Sequence, residues 1–449
     1  MTGSTTGWKT GSARLLCALL VVAACDVASD AGGREASAAE PPRAGPSAPS
    51  PGKEDEVSRL AKQDRVARAA ALMLGFAART GVTSSEPGLR YLWTDAFAAA
   101  NFLGLARETG EERHLELALR VIEKVHAALG RHRADDPRQG RLGTATEDHP
   151  TRGGLRIGKP LPERGPEEPL DPRLEWDRDG QYFHYLTKWM HALDLTTRVT
   201  GRPDYNRWAR ELAERAHDAF TYQAAGGFRR MHWKLSIDLS RPLVPSMGQH
   251  DPLDGYVTAA QLRATAQALE DGEGPRLAGE MASFEAMIDS DGLATDDPLG
   301  LGGLLTDAFR LEQLMRRGSR DEHDLLQRLL EVSLVGLQGY ASGNALEGAA
   351  SRRLAFRELG LAIGLHAVEH MADAVQRGEF AGDERARELL RALGRYVSLA
   401  AAIEGFWLID EHRQQQTWAE HRDINDVMLA TSLAPQGFLV LPPVAFGDR

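Results

Sequence analysis

Apolar residues recur along this chain every three or four positions and show no sustained alternation, so the pattern is helical. Within residues 204–220, Tyr205, Trp208, Ala209, Leu212, Ala213, Ala216 and Phe220 share one face, and arginine and glutamate take the other. Residues 112–129 do the same with Ala118, Val121, Ile122, Val125 and Leu129, as do residues 383–400 with Ala386, Leu389, Leu390, Leu393, Val397 and Ala400. Helices of this kind pack on something beneath them and face water above. Four other stretches, 93–107, 181–197, 299–315 and 356–374, are apolar or aromatic almost all round, which requires cover on both sides.

The two kinds take turns. The spacing predicts helices near 56–80, 91–109, 112–131, 180–200, 204–221, 254–271, 274–289, 299–317, 320–339, 353–377, 383–404 and 422–433, six buried alternating with six amphipathic. Most buried helices stop at a glycine (Gly110, Gly201, Gly272, Gly318, Gly378), where a left-handed residue ends the helix and a short link turns the next one back. Thr94-Asp95-Ala96-Phe97 and Thr306-Asp307-Ala308-Phe309 open two buried helices with the same four residues, a trace of internal repetition. A closed ring of six helical hairpins with the buried helices inside satisfies every face, whereas an open solenoid has steadier spacing. The expected fold is all-α, an (α/α)6 toroid over residues 54–449.

The N-terminus departs from this pattern. Lys9 and Arg14 form a short basic stretch before an apolar run, 15–24, too short to span a bilayer. The following Val22-Ala23-Ala24-Cys25 resembles a bacterial lipobox. The expectation is a signal peptide over residues 1–25, lipid attachment at Cys25 and a lipoprotein anchored in the bacterial cell envelope. Residues 26–53, rich in alanine, glycine, proline and serine, read as a disordered tether that buries too little to order itself. Cys17 and Cys25 are the only cysteines, so the body holds no disulfide and no thiolate. The net charge of -11 is spread rather than blocked, which argues against a nucleic-acid partner.

The ring of hairpins, with its Thr-Gly turns at Thr109-Gly110 and Thr200-Gly201, resembles the six-hairpin glycosidase-like superfamily over most of residues 56–440. Residues 174–193 and 238–255 resemble a bacterial lipoprotein family that brings no activity to carry over. In such a ring the loops leading into the inner helices gather at one mouth. Polar and aromatic residues concentrate there: Trp93 and Asp95; Trp176, Asp179, Tyr182 and His184; His250, Asp251 and Asp254; Arg357 and Glu358; His421, Asp423 and Asp426. Flat aromatic faces stack on sugar rings and carboxylates accept from their hydroxyls, so the expected partner is a saccharide or polysaccharide. Glycoside cleavage also needs two carboxyl groups, one protonated and one ionised. On that chemistry Asp179 and Asp251 are the expected acid and base of a glycoside hydrolase, supported by Asp95, Asp254 and Asp426. Trp93, Trp176 and Tyr182 would stack or orient the sugar, and the remaining mouth residues would contact it.

Two other readings stay open. One is a sugar epimerase or lyase, with a histidine or tyrosine carrying the proton, for which His184, His250 and His421 are suitably placed. The other is a tethered module that binds glycan or protein without turnover. Against any single acid stands an ordinary role, because an aspartate at a helix start is more often an N-cap than a catalyst. Asp179 and Asp254 both fit one. His184, Lys188, His191 and Leu195 likewise follow the spacing of an interior stripe.

Two insertions interrupt the hairpins. Residues 131–174, with Arg152, Arg156, Lys159 and Arg164 among glycines, read as a flap whose cations meet an anionic group. Residues 226–255, containing Trp233 and Lys234 and ending in the polar run 249–254, read equally as rim packing or as part of the mouth. Gly153-Gly154-Leu155-Arg156-Ile157-Gly158-Lys159 has P-loop spacing, but Pro160 stands where the serine or threonine belongs. Asp177-Arg178-Asp179-Gly180 begins like a calcium loop, yet Lys188 occupies the closing glutamate position. His250-Asp251 and His421 with Asp423 offer ligand atoms without a metal-site spacing, so no metal and no cofactor are expected.

Overall fold

The alternation of faces is borne out helix by helix. The structure is a computed structural model that describes residues 51–445 except 86–87, 245, 319–320 and 381, with side chains from residue 60 onward. The expected signal peptide, the lipid attachment at Cys25 and nearly all of the tether lie outside the described residues. None of the described helices is long and apolar enough to cross a membrane.

Six helices form the inner ring: α2 (Leu92–Thr109), α4 (Phe183–Thr200), α6 (Asp251–Ala268), α8 (Pro298–Arg316), α10 (Ala355–Gln376) and α15 (Arg422–Leu433). Each packs on the next, and α15 packs back on α2, so the ring closes. Outside it, α3 (Glu112–Leu129) covers α2, α5 (Pro203–Phe220) covers α4, α7 (Ala278–Glu285) covers α6 and α9 (His323–Ser342) covers α8. α10 is covered by α11 (Glu384–Leu393) and α12 (Ser398–Trp407), two pieces separated by a tight turn where one helix was expected. The sixth pair joins the two ends of the described chain, with α1 (Pro51–Arg79) lying on α15. Two single-turn helices, α13 (Asp410–Arg413) and α14 (Gln416–Ala419), lead into α15, and α16 (Gln436–Leu439) follows it.

Burial follows the sequence pattern. Every residue of α2 from Leu92 to Leu105 is buried, whereas α5 buries Tyr205, Ala209, Leu212, Ala213, Ala216 and Phe220, covers Arg210 and Glu211 beside them, and leaves Glu214 and Asp218 to water. Gly110 and Gly201 close α2 and α4 at φ 72° and 71°, a backbone that glycine adopts without strain. The end of α6 differs from expectation. Glu270, not Gly272, takes the left-handed turn there, at φ 55°.

Several helix starts differ from the expected ones, and two of the shifts matter for the site. α6 begins at Asp251 rather than 254, because Pro252 has its φ already set for the first helical turn and lacks only an amide that would go unbonded anyway. Asp251 and Asp254 therefore stand on one helix, three residues apart. α4 begins at Phe183 rather than 180, because Gln181–Tyr182 forms a strand, β1. Between α5 and α6, β2 (Thr221–Gln223) pairs with β3 (Arg229–Met231) as a hairpin. Then β4 (Lys234–Leu235) pairs antiparallel with β1 and with β5 (Pro242–Val244), which fixes the second insertion on the rim.

The far end of the ring is plugged by the chain's own C-terminal segment. Phe438 stacks on Phe97 of α2, with ring centroids 4.1 Å apart, and its carbonyl accepts from His191 Nε2 of α4 at 2.8 Å. Gln313 of α8 donates to Leu439 O at 2.9 Å, and Arg198 of α4 donates to Pro442 O at 2.9 Å. Gly437 approaches Gly104 so closely that a Cβ on Gly104 would lie 2.4 Å from the Cα of Gly437. A ring whose bottom is closed in this way opens at one end only.

Candidate active site at the mouth of the ring

First turns meet around the other end. Tyr91 and Tyr185 share a hydrogen bond of 2.7 Å between α2 and α4, and His184 of α4 lies 4.0 Å from Asp251 of α6. Arg357 of α10 pairs with Asp297 at the start of α8, and Asn425 of α15 accepts from the amide of Phe356 at 3.0 Å. All six inner N-termini therefore point to one mouth, as the sequence implied.

The carboxylates expected there do not share one pocket. Asp179 is fully buried, away from solvent, in a cage of donors. Arg156 forms a short ion pair with it, Arg133 lies at 3.4 Å, and the amides of Gly158, Lys159 and Gly180 donate at 2.9, 3.3 and 3.0 Å. With both oxygens so occupied it binds the flap to the ring, and the assignment of Asp179 as a catalytic acid is corrected on that ground. It is not an N-cap of α4 either, since Tyr182 holds that position. Asp95 pairs with Arg90 at 3.1 Å where both are buried, and burial raises its carboxyl to about 7 despite the arginine. Asp426 pairs with Arg79 at 2.6 Å, and Asp423, part-exposed, takes the same guanidinium at 2.9 Å. Glu358 is held by Arg353 and by the indole of Trp407, both within 2.8 Å. These acids have structural partners, and each partner arginine comes from a position that the helical pattern alone does not reveal.

The flap cations are spent internally as well. Arg152 bonds to Glu211 at 2.8 Å and Arg164 to Glu175 at 3.1 Å, so they meet the protein's own acids and not a bound anion. Lys234, expected only to pack, is fully buried and donates to Glu175 and to the carbonyl of Arg178. Its ammonium and that of Lys159 lie 5.4 and 5.9 Å from the ring centre of Tyr182. Desolvation lowers the Lys234 ammonium to about 8.

What remains is a compact constellation on α4, α6 and α8. Tyr182, His184 and Tyr185 form an aromatic cluster, with centroids 5.4 Å apart for Tyr182–His184 and 4.7 Å for His184–Tyr185. Trp93 and Trp176 flank it, at 6.5 Å from Tyr185 and 6.3 Å from Tyr182. Asp251 and His184 stand side by side, and each has a buried atom with no hydrogen-bond partner among the described residues: Asp251 Oδ2 and His184 Nε2. Burial raises Asp251 to about 7, helped by the nearby Asp254, and burial lowers His184 to about 3. Between those values both groups are neutral.

One turn deeper, Asp254 accepts from Thr187 at 2.6 Å and from Lys188 at 2.8 Å, with Arg310 at 3.7 Å. Burial works against its charge, but Lys188 and Arg310 outweigh it and hold the carboxyl below the usual range. Asp307 shares Arg310 at 2.9 Å, and burial beside Asp254 pushes it up to about 6. Arg310 also donates to Gln261 and Thr258 of α6. In the sequence, Asp307 stands out only as part of the repeated Thr-Asp-Ala-Phe and Arg310 not at all, and neither is an expected site residue. A charged pair three residues apart inside an otherwise apolar helix was the available signal. The other mouth histidines are placed more plainly. His250 bonds to the carbonyl of Leu293 at 2.9 Å, and His421 packs edge-on to Phe356. Among the described residues no three His, Cys, Asp or Glu side chains are placed to share a metal ion.

A cavity of about 320 Å3 lies elsewhere, between the end of α8 and the start of α9, lined by Glu312, Arg316, His323 and Phe380 among others. Most of its charged groups are paired, although both carboxyl oxygens of Glu312 are buried without a hydrogen bond among the described residues. Arg316 takes Glu312 and Glu379, and His323 takes Asp383. The mouth is the better candidate.

No protein-family model and no curated relative matches this chain, so the resemblance to a bacterial lipoprotein family finds no support there. Among solved structures it is similar to the cellobiose 2-epimerase of Spirochaeta thermophila DSM 6192, at 14% identity and a TM-score of 0.45 over 83% of this chain and 97% of that one. It is also similar to the cellobiose 2-epimerase of Bacillus thermoamylovorans B4167, at 10% identity and a TM-score of 0.37 over 69% of this chain and 76% of that one.

Proposed function

We propose that the ring binds a saccharide at its mouth and moves a proton on and off it, the chemistry of a sugar epimerase or isomerase. Asp251 is the proton carrier and His184 its neutral partner. The observation that carries this reading is the pair of orphaned atoms, Asp251 Oδ2 and His184 Nε2, on side chains 4.0 Å apart. Buried polar groups in proteins are as a rule paired, these two are the orphaned atoms that face each other's side chains at the mouth, and a sugar hydroxyl supplies a donor and an acceptor at once. A carboxyl that titrates near 7 gives and takes a proton with comparable ease at neutral pH. The proton leaves a carbon next to the carbonyl of an open-chain sugar for the Asp251 carboxylate. The electron pair passes to the carbonyl oxygen as an enolate, and return of a proton to either face regenerates sugar. Lys188 and Arg310 lie one turn below, where developing negative charge finds cations. Trp93, Tyr182 and Tyr185, all buried, pack around the pair and hold His184 in place.

Hydrolysis is the second reading, and one observation favours it. Asp251, held neutral, stands one helical turn from the ionised Asp254, an acid and a base of the kind that glycosidases use. The first reading ranks above it because both Asp254 oxygens are already bonded by Lys188 and Thr187.

Incubation with D-glucose, cellobiose and cellotetraose in deuterium oxide separates the two. Deuterium at a carbon-bound position supports proton transfer, and cleaved product without it supports hydrolysis. If the native protein does neither, both readings fall and a binding module without turnover takes their place.

A further inference from the structure

The inner helices carry several glycines, and packing explains all but one. A Cβ added to Gly104, Gly255, Gly300, Gly302, Gly360 or Gly364 would lie 3.0 Å or less from a neighbouring atom, often backbone. At Gly303 it would meet nothing within 4 Å. Glycine inside a helix weakens it relative to alanine, so one with no close neighbour calls for another explanation.

The register of α8 says which way this position faces. Leu301 meets the outer helix α9 and Gly302 meets the backbone of Gly360 on α10. Gly303 is turned from both and lies on the same face as Asp307 and Arg310, four and seven residues on. Those two side chains reach α6, where Arg310 donates to Gln261 and Thr258 and stands near Asp254. Gly303 is also part-exposed, as are His184 and Lys188 at equivalent depth on α4, with 19% and 16% of their side chains in contact with solvent. Solvent therefore enters the ring between α4, α6 and α8, and the missing side chain at Gly303 makes the room.

We infer that Gly303 is a specificity-determining position: its bare backbone is the wall of the ligand pocket on α8, and a saccharide ring lies over it, reaching His184 and Asp251. This rests on the saccharide reading above but not on which bond is made or broken. With the far end of the ring plugged by Phe438, the space beside Gly303 is reached from the mouth alone.

The test uses the full chain carrying Gly303→Cys, with peptide mapping to separate the new thiol from Cys17 and Cys25. Methyl methanethiosulfonate is expected to modify it in the folded protein, and saturating D-glucose, cellobiose or cellotetraose to slow that modification at least ten-fold. Gly303→Leu is expected to keep or raise Tm and to lose deuterium exchange into sugar at least 100-fold. A thiol that reacts only on unfolding, a rate that none of the three sugars changes, or a Gly303→Leu variant with native exchange overturns the inference. Protection by sugar without exchange in the native protein leaves this pocket standing and removes the proposed chemistry. Exchange without protection does the reverse.

Discussion

His184 Nδ1 and Asp251 Oδ1 stand 4.0 Å apart across the first turns of α4 and α6, two titratable groups whose surroundings push them in opposite senses. Burial disfavours charge on both, so the acid keeps its proton to about 7 and the imidazole gives up its own above about 3. Turnover that needs the Asp251 carboxylate should rise with pH through about 7, and Asp251→Asn should reduce it at least 100-fold on the scale of a lost proton carrier. A pH–rate profile checks this, and a flat profile from 5 to 9 removes Asp251 from the role.

The same shift has a stability consequence of definite sign. Between the unfolded value near 4 and the folded value near 7, the folded state holds a proton that the unfolded state has lost, so native stability falls as pH rises through that window. Asp251→Asn lacks this loss. Relative to the native protein the variant should gain at pH 8 over pH 5 by about 3 kcal/mol, for the roughly two pKa units of the window that lie between those pH values. Denaturant titrations at the two pH values measure the difference.

Gly248 positions Asp251. A Cβ there would lie 2.4–2.8 Å from the Asp251 carboxyl group, so Gly248→Ala must turn that carboxyl aside. Turnover is expected to drop at least ten-fold on the scale of a misplaced reacting group, with the pH profile displaced and Tm nearly unchanged. A large Tm loss with an undisplaced profile would show a role in folding alone.

The flap depends on Asp179. Asp179→Asn leaves Arg156 and Arg133 facing a neutral side chain in a buried cage, which should destabilise by about 3 kcal/mol. Hydrogen exchange should show residues 131–174 opening before the ring. Uniform loss of protection across all six hairpins would mean that the flap is part of the core.

The C-terminal plug is equally open to test. Gly104→Ala forces the Gly104–Gly437 approach apart and should cost about 2 kcal/mol, the order of an overpacked core. Thermal unfolding against Gly303→Ala, which meets no neighbour, gives opposite signs if both positions are as described.

At the other side of the ring, Glu404 gathers Arg65 of α1, His366 of α10 and Ser432 of α15 within 2.5, 2.8 and 2.6 Å. Burial opposes charge on His366, yet its bonds to Glu369 and Glu404 raise it to about 9. A raised histidine contributes stability that is complete below about 6.5 and is lost as pH rises through about 9. His366→Gln should flatten this alkaline loss, read as Tm between pH 7 and 10.

Much of this was legible in the chain itself. Helical period set which faces are wet and which are covered, as at Tyr205–Phe220 and Leu92–Leu105, and alternation of the two kinds implied a closed ring. The mouth followed from direction, because each inner helix returns through an outer one. Partnership did not follow. Asp95, Asp179, Asp254 and Asp426 look alike as aspartates near helix starts, and which is neutralised depends on Arg90, Arg156, Lys188 and Arg79. Three of those cations are brought in from other elements by the ring's closure. Asp251 stands apart only because Pro252 starts α6 early and Gly248 leaves its carboxyl room. Local propensity and periodicity act over a few residues and fix the helices, whereas the site's electrostatics act over a few ångströms between residues far apart in sequence. Those distances exist only once the six hairpins have closed.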